Sequence, residues 1–439
     1  MRLLNIFGAA TILLISCGTG NSAQNPQTTT TTTTTPHAPA NYDRSLSTKE
    51  VIDTVIIKSD ATQTYALYLP SNYTPDKSFP CIYFFDAHAR GALPVALYKS
   101  LAEQYGFVLI GSNVSRNGMQ WSQTNEIVKA LMDDSRTRIN IDPKRIYTSG
   151  FSGGSRVAST IAIINGGVAG VIGCGAGFPG PADQVQNKFD YFGMAGVYDF
   201  NLPEMQQLDA ALRQKGFTHQ LLTFKGKHDW PPVADMQTAM LWIQACAMKE
   251  GTQPANTGLV NALKASDDNR MNTGAQSLPD EKALQEEAAT EQQFQQQFTS
   301  LDVAAWTKKI HQLQQQAKTA KPLQKAQMYQ RLINYLGFVC YMNSSHAINS
   351  GDFTNAENYL KIFGLADPEN PDVDYLTAQC YMKKGDTNKA ISALQSAVKA
   401  GYNDVPQITT DPAFINLFGD AAFKELIVSV RKNIFFGVN

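Results

Sequence analysis

The chain has 439 residues, with 37 Lys and Arg against 38 Asp and Glu, for a formal net charge of −1. That length accommodates two or three domains, and the near-zero charge removes the electrostatic basis for nucleic-acid binding. Its six cysteines are widely spaced and form no Cys-x-x-Cys pair, so no structural metal site is expected.

The N-terminus opens with the short basic start Met1-Arg2 and an apolar run from Leu3 to Ile15. This run is too short to span a bilayer and has the length of a signal peptide. Leu14-Ile15-Ser16-Cys17, followed by Gly18, resembles a bacterial lipobox. The resemblance implies that residues 1–16 are a cleaved signal and that Cys17 is lipidated, tethering the chain to a membrane. Two or more acyl chains anchor stably where one does not. With no acidic run after Cys17, the periplasmic side of the cell envelope is favoured. Residues 17–45, with an unbroken threonine run from Thr28 to Thr35 between prolines, have little to bury and read as a disordered tether.

From 46 to 250 strands and helices alternate. Strands are expected at 51–58, 64–69, 81–85, 107–112, 145–149, 168–175, 190–196 and 219–224. Helices are expected at 95–105, 121–138, 153–164, 203–215 and 232–248. Pro231-Pro232 fits the start of the last helix, where the missing N–H costs nothing. Such alternation implies a mostly parallel, doubly wound sheet covered on both faces. Cys81 and Cys174 fall in buried strands, and Cys246, Cys340 and Cys380 in helices. Free thiols are the default, although an oxidising compartment would permit a disulfide.

Gly150-Phe151-Ser152-Gly153-Gly154 is a G-x-S-x-G pentapeptide between a β-prone run and an apolar helical run. A serine on such a strand-to-helix turn is exposed and strained, with its hydroxyl free to attack a carbonyl. An acid and a histidine follow, each after its own strand: Asp199, then His228. Ser152 would be the nucleophile, His228 its base and later the acid for the leaving group, and Asp199 the group that fixes the imidazole. Asp190, Asp209 and Asp229 are the rival acids. Asp190 falls at the wrong end of its strand, and Asp229 is adjacent to the histidine.

In this order of Ser, Asp and His, with His228-Asp229-Trp230 after the last strand, residues from about 50 to 250 resemble a small α/β-hydrolase. The similarity is greatest to secreted esterases of the polyhydroxyalkanoate-depolymerase and feruloyl-esterase type. It implies a serine esterase that needs no cofactor or metal, with Trp230 at the substrate. It also implies an oxyanion hole built from the Gly153 amide and a second amide after the third strand. Relatives carry His-Gly there, where this chain has Asp86-Ala87-His88. Aligning Asp86-Ala87 with His-Gly makes His88 the second donor, and Ala87 is the alternative one residue away. The His88 side chain is also a candidate second base or substrate contact. The short 176–189 connection, where many relatives insert a lid, implies an open cleft suited to bulky or polymer-linked esters.

Residues 251–280 are polar and read as a linker. Residues 281–439 read as an all-α domain. Within it, Gly351-Asp352 with Ala356 recurs as Gly385-Asp386 with Ala390, 34 residues on. That period resembles a tetratricopeptide repeat over about 338–405, and implies a surface for a protein partner or packing on the neighbouring domain. Three functions fit: a lipid-anchored serine esterase, a serine peptidase on the same fold, and a catalytically dead scaffold whose repeats bind partners.

Overall fold

The computed structural model describes residues 42–272, 278–298 and 302–436. The stretch read as a signal peptide, Cys17 and the threonine run lie outside the described residues. Eight strands form one sheet: β1 (Val51–Ile57), β2 (Asp60–Tyr68), β3 (Phe79–Phe85), β4 (Val108–Ser112), β5 (Ile141–Phe151), β6 (Gly170–Cys174), β7 (Asp190–Gly196) and β8 (His219–Phe224). Their spatial order is β1-β2-β4-β3-β5-β6-β7-β8. β2 runs antiparallel to β1 and β4, and every pair from β4 across to β8 is parallel. This is the doubly wound, mostly parallel sheet of the α/β-hydrolase fold.

The central strands are buried on both faces, and their sequences show it. Phe79–Phe85 is apolar throughout and buried at every position. α1 (Ala92–Tyr105) and α5 (Val233–Lys249) cover one face, α2 (Trp121–Arg138), α3 (Gly153–Thr160) and α4 (Leu202–Gln214) the other. Cys81, Cys174, Cys246, Cys340 and Cys380 are buried and unpaired.

Two expectations change. The segment read as a linker holds a helix, α6 (Thr257–Asn272), packed on α5 and tied to it by the 2.5 Å hydrogen bond between Thr238 Oγ1 and Ser266 Oγ. Tertiary contact overrides the weak local pattern there. The second change is the cleft. The helical domain comprises α7 (Glu281–Gln297), α8 (Val303–Thr319), α9 (Leu323–Ser350), α10 (Phe353–Ala366), α11 (Pro371–Lys383), α12 (Thr387–Lys399), α13 (Val405–Thr410) and α14 (Ala421–Phe436). It docks on the loops at the C-terminal ends of the strands. Lys227 pairs with Asp367 at 2.7 Å, His88 Nδ1 meets Asp404 Oδ2 at 3.2 Å, and Arg90 donates to Asn403 at 3.2 Å. The open cleft inferred from the short 176–189 connection is therefore corrected. Cover comes from residues more than a hundred positions downstream, which no local length could reveal.

The repeat is built as its residues require. Gly351 and Gly385 end α9 and α11 with φ of 81° and 82°, a left-handed conformation that favours glycine. Asp352 and Asp386 then cap α10 and α12 by accepting from the amides of Asn355 and Lys389. Ala356 and Ala390 are fully buried, where the helices touch. Among the described residues, no helix is long and apolar enough to cross a membrane.

Candidate active site

β5 runs straight into the Ser152 turn. Ser152 has φ 54° and ψ −121°, a strained conformation for a residue with a Cβ. The turn closes only because its flanks are glycine. A Cβ on Gly150 would lie 2.1 Å from Gly154 O, and one on Gly154 would lie 1.9 Å from Phe85 O. Ser152 is the N-cap of α3, so the amides that follow it sit at the positive end of that helix. The next serine, Ser155, is buried and gives its hydroxyl to Ala176 O at 2.6 Å.

The sheet brings three distant residues together. His228 Nε2 lies 2.9 Å from Ser152 Oγ, and His228 Nδ1 lies 2.9 Å from Asp199 Oδ1. Asp199 is fully buried in the turn after β7, and its Oδ1 also accepts from the Asn201 amide at 2.8 Å. The rival acids are elsewhere. Asp190 begins β7, Asp209 pairs with Arg213 and His219, and Asp229 accepts from the amide of Trp230. The His228 ring lies between two aromatic rings, with Phe151 at 4.6 Å and Phe200 at 4.4 Å.

The turn after β3 is organised by Asp86. This buried carboxylate accepts four bonds: from the His88 amide at 2.9 Å, Arg90 Nε at 2.8 Å, Arg90 Nη2 at 3.1 Å and Trp230 Nε1 at 2.8 Å. Burial pushes its pKa up, but Arg90 outweighs burial and holds the carboxyl below its ordinary range. Two expectations are corrected here. The His88 amide is already given to Asp86 and is not free for an oxyanion, which leaves Ala87, one residue earlier, as the candidate. Trp230 is 6% exposed, packed among Phe84, Tyr98 and Phe151, with its indole N–H spent on Asp86. It braces the turn and offers substrate almost no surface. The His88 side chain faces the helical domain through Asp404.

Some contributors carry no sequence signal. Asn117, after β4, lies against the Ser152 turn: a Cβ on Gly153 would fall 1.7 Å from its Oδ1. The Asn117 amide also donates to Ala87 O at 2.8 Å, tying the two turns together. Phe200 adjoins Asp199 in sequence, so it could have been suspected. Phe338, stacked on Phe200 from the helical domain at 4.9 Å, could not. Among the described residues, no cluster of three His, Cys, Asp or Glu could hold a metal ion.

Residues 347–410 match a tetratricopeptide repeat family. No curated protein matches the chain. Solved structures that resemble it include S-formylglutathione hydrolase from Staphylococcus aureus, at 16% identity over 41% of this chain and 90% of that one, with a TM-score of 0.36. Another is fluorophosphonate-binding serine hydrolase F from Staphylococcus aureus, at 15% identity over 41% and 92%, with a TM-score of 0.36. A ferulic acid esterase aligns at 14% identity over 44% and 97%, with a TM-score of 0.37.

Proposed function

We propose that this protein is a serine hydrolase cleaving carboxylic esters through an acyl-enzyme. The observation that carries this reading is the unbroken chain of contacts from Ser152 through His228 to Asp199, 2.9 Å at each step, with the serine on a strained turn. His228 Nε2 takes the hydroxyl proton as Ser152 Oγ attacks the ester carbonyl carbon. The developing oxyanion is met by the amides of Gly153 and Ala87. His228 returns the proton to the leaving alkoxide. Water, deprotonated by the same imidazole, then attacks the acyl carbon. The bond to Ser152 Oγ breaks, His228 returns the proton to that oxygen and the acid leaves, with Asp199 stabilising the imidazolium in both halves.

The test is a fluorophosphonate label together with a panel of p-nitrophenyl esters and aminoacyl amides. Labelling and ester turnover are expected in the wild type. Ser152→Ala and His228→Ala should each lower kcat by about 10³-fold or more. Labelling of Ser152→Ala at the wild-type rate would sink the assignment. Preference for amides would make the protein a peptidase, and an unlabelled wild type would make it a scaffold.

Two further roles belong to the same proposal. The lipobox-like Leu14-Ile15-Ser16-Cys17 supports a chain anchored in the bacterial envelope by lipid on Cys17, on the periplasmic side. Loss of detergent partitioning in Cys17→Ala is the expected result. The repeat match supports a protein partner held by α10 to α12.

A further inference from the structure

Helix α9 spans 28 residues, and only its last turn, from Ala347, falls within the repeat match. Further back along the helix, Arg331, Asn334 and Phe338 face the hydrolase domain, at the three- and four-residue spacing that lines one helix face. All three meet the turn that carries Asp199. Arg331 Nη1 donates to Val197 O at 3.0 Å, and Asn334 Nδ2 donates to Tyr198 O at 2.7 Å. Phe338 stacks on Phe200 with an interplanar angle of 24°, and Phe200 in turn lies against His228. Arg331 is itself fixed by Glu287 through bonds of 2.7 and 2.6 Å, both side chains being fully buried.

The turn divides its hydrogen bonds between the two domains. The amides of Val197, Tyr198 and Asp199 are satisfied within the hydrolase domain, by Phe224 O, Gly226 O and Gly196 O. The carbonyls of Val197 and Tyr198 are satisfied by α9. Resting on the reading of Ser152, His228 and Asp199 as the reacting groups, we infer that Arg331, Asn334 and Phe338 are positioning residues for that reaction. They hold the Asp199 turn from outside and back the ring that covers His228, so the catalytic unit spans both domains. The physical need is precision: a displacement of about 1 Å in a catalytic group can cost roughly 10²-fold in rate, and a site is only as exact as the shell supporting it.

The test is made in the full chain with p-nitrophenyl acetate. Phe338→Ala should lower kcat about 10-fold with KM within about 2-fold, and fluorophosphonate labelling should slow in parallel. Phe338→Tyr keeps the ring and should restore kcat. Asn334→Ala should act in the same direction, and the double variant should lose less than the product of the two, because both act on one turn. Wild-type kcat in Phe338→Ala, a loss confined to KM, or no rescue by Phe338→Tyr would overturn the inference. If Phe338→Ala does not fold, the same kcat and KM split in Asn334→Ala decides it. Ser152→Ala is run alongside. Turnover by that variant defeats the proposed function itself, whereas an inactive Ser152→Ala beside a fully active Phe338→Ala defeats this inference alone.

Discussion

Replacing Asp86 by asparagine should damage stability and activity together. The carboxylate offers two oxygens to four donors: the His88 amide, two guanidinium nitrogens of Arg90 and the Trp230 indole. Asparagine keeps one oxygen and adds an NH₂, so either way round two donors face a donor. Arg90, mostly buried, also loses its counter-charge. Removing one partner of a buried ion pair costs about 3–5 kcal/mol, or roughly 10 °C in Tm for a domain of this size. The freed turn also carries the Ala87 amide, and losing one oxyanion donor costs about 10²-fold in kcat. Urea melts and ester kinetics read the two effects separately. Asp86→Asn within about 1 kcal/mol of the wild type would refute the account of this network. The pH dependence has a definite sign. The folded pKa of Asp86 lies below its ordinary 3.8, so its contribution is present above that value and is lost only as pH falls through the folded pKa.

Two more predictions concern the helical domain. Glu291 has a buried Oε1 with no hydrogen-bond partner, and burial, followed by the charge of Glu287, pushes its pKa up to about 8. A raised carboxyl contributes fully below its ordinary 4.5 and loses that contribution as pH rises through about 8. Glu291→Gln should therefore gain on the wild type between pH 5 and 8.5, by at most about 4 kcal/mol, as followed by Tm; a pH-independent difference would count against it. For His88, burial draws the pKa down, but the hydrogen bond to Asp404 and the charge of Asp86 bring it to a net rise. Its contact stabilises below the ordinary 6.5 and fades as pH rises through the folded value. Asp404→Asn should accordingly lower Tm more at pH 5.5 than at pH 8.5, and an equal loss at both would exclude a charged His88.

Much of this chain is dictated locally. A run as short, apolar and aromatic as Phe79–Phe85 reads as a strand buried on both faces, and the glycines at 150 and 154 permit a turn that any side chain would block. The Gly-Asp pairs at 351 and 385 end one helix and cap the next through their own backbone and side chain. Features of this kind need only a few neighbours, so the elements of the hydrolase region, the order of Ser152, Asp199 and His228, and the repeat are legible in sequence, whereas α6 is not. The tertiary structure alone decided what faces what across long separations. Asp86 has no mark in the sequence until Arg90 and Trp230 arrive at it, and the Trp230 indole comes from 144 residues away. The second amide of the β3 turn could not be chosen between Ala87 and His88 until Asp86 took one of them. Phe338 meets Phe200, and Arg331 meets Val197, from a helix whose apolar and polar residues look like those of any repeat. Contact between domains depends on the summed shape of two folded surfaces, and no window along the chain contains both.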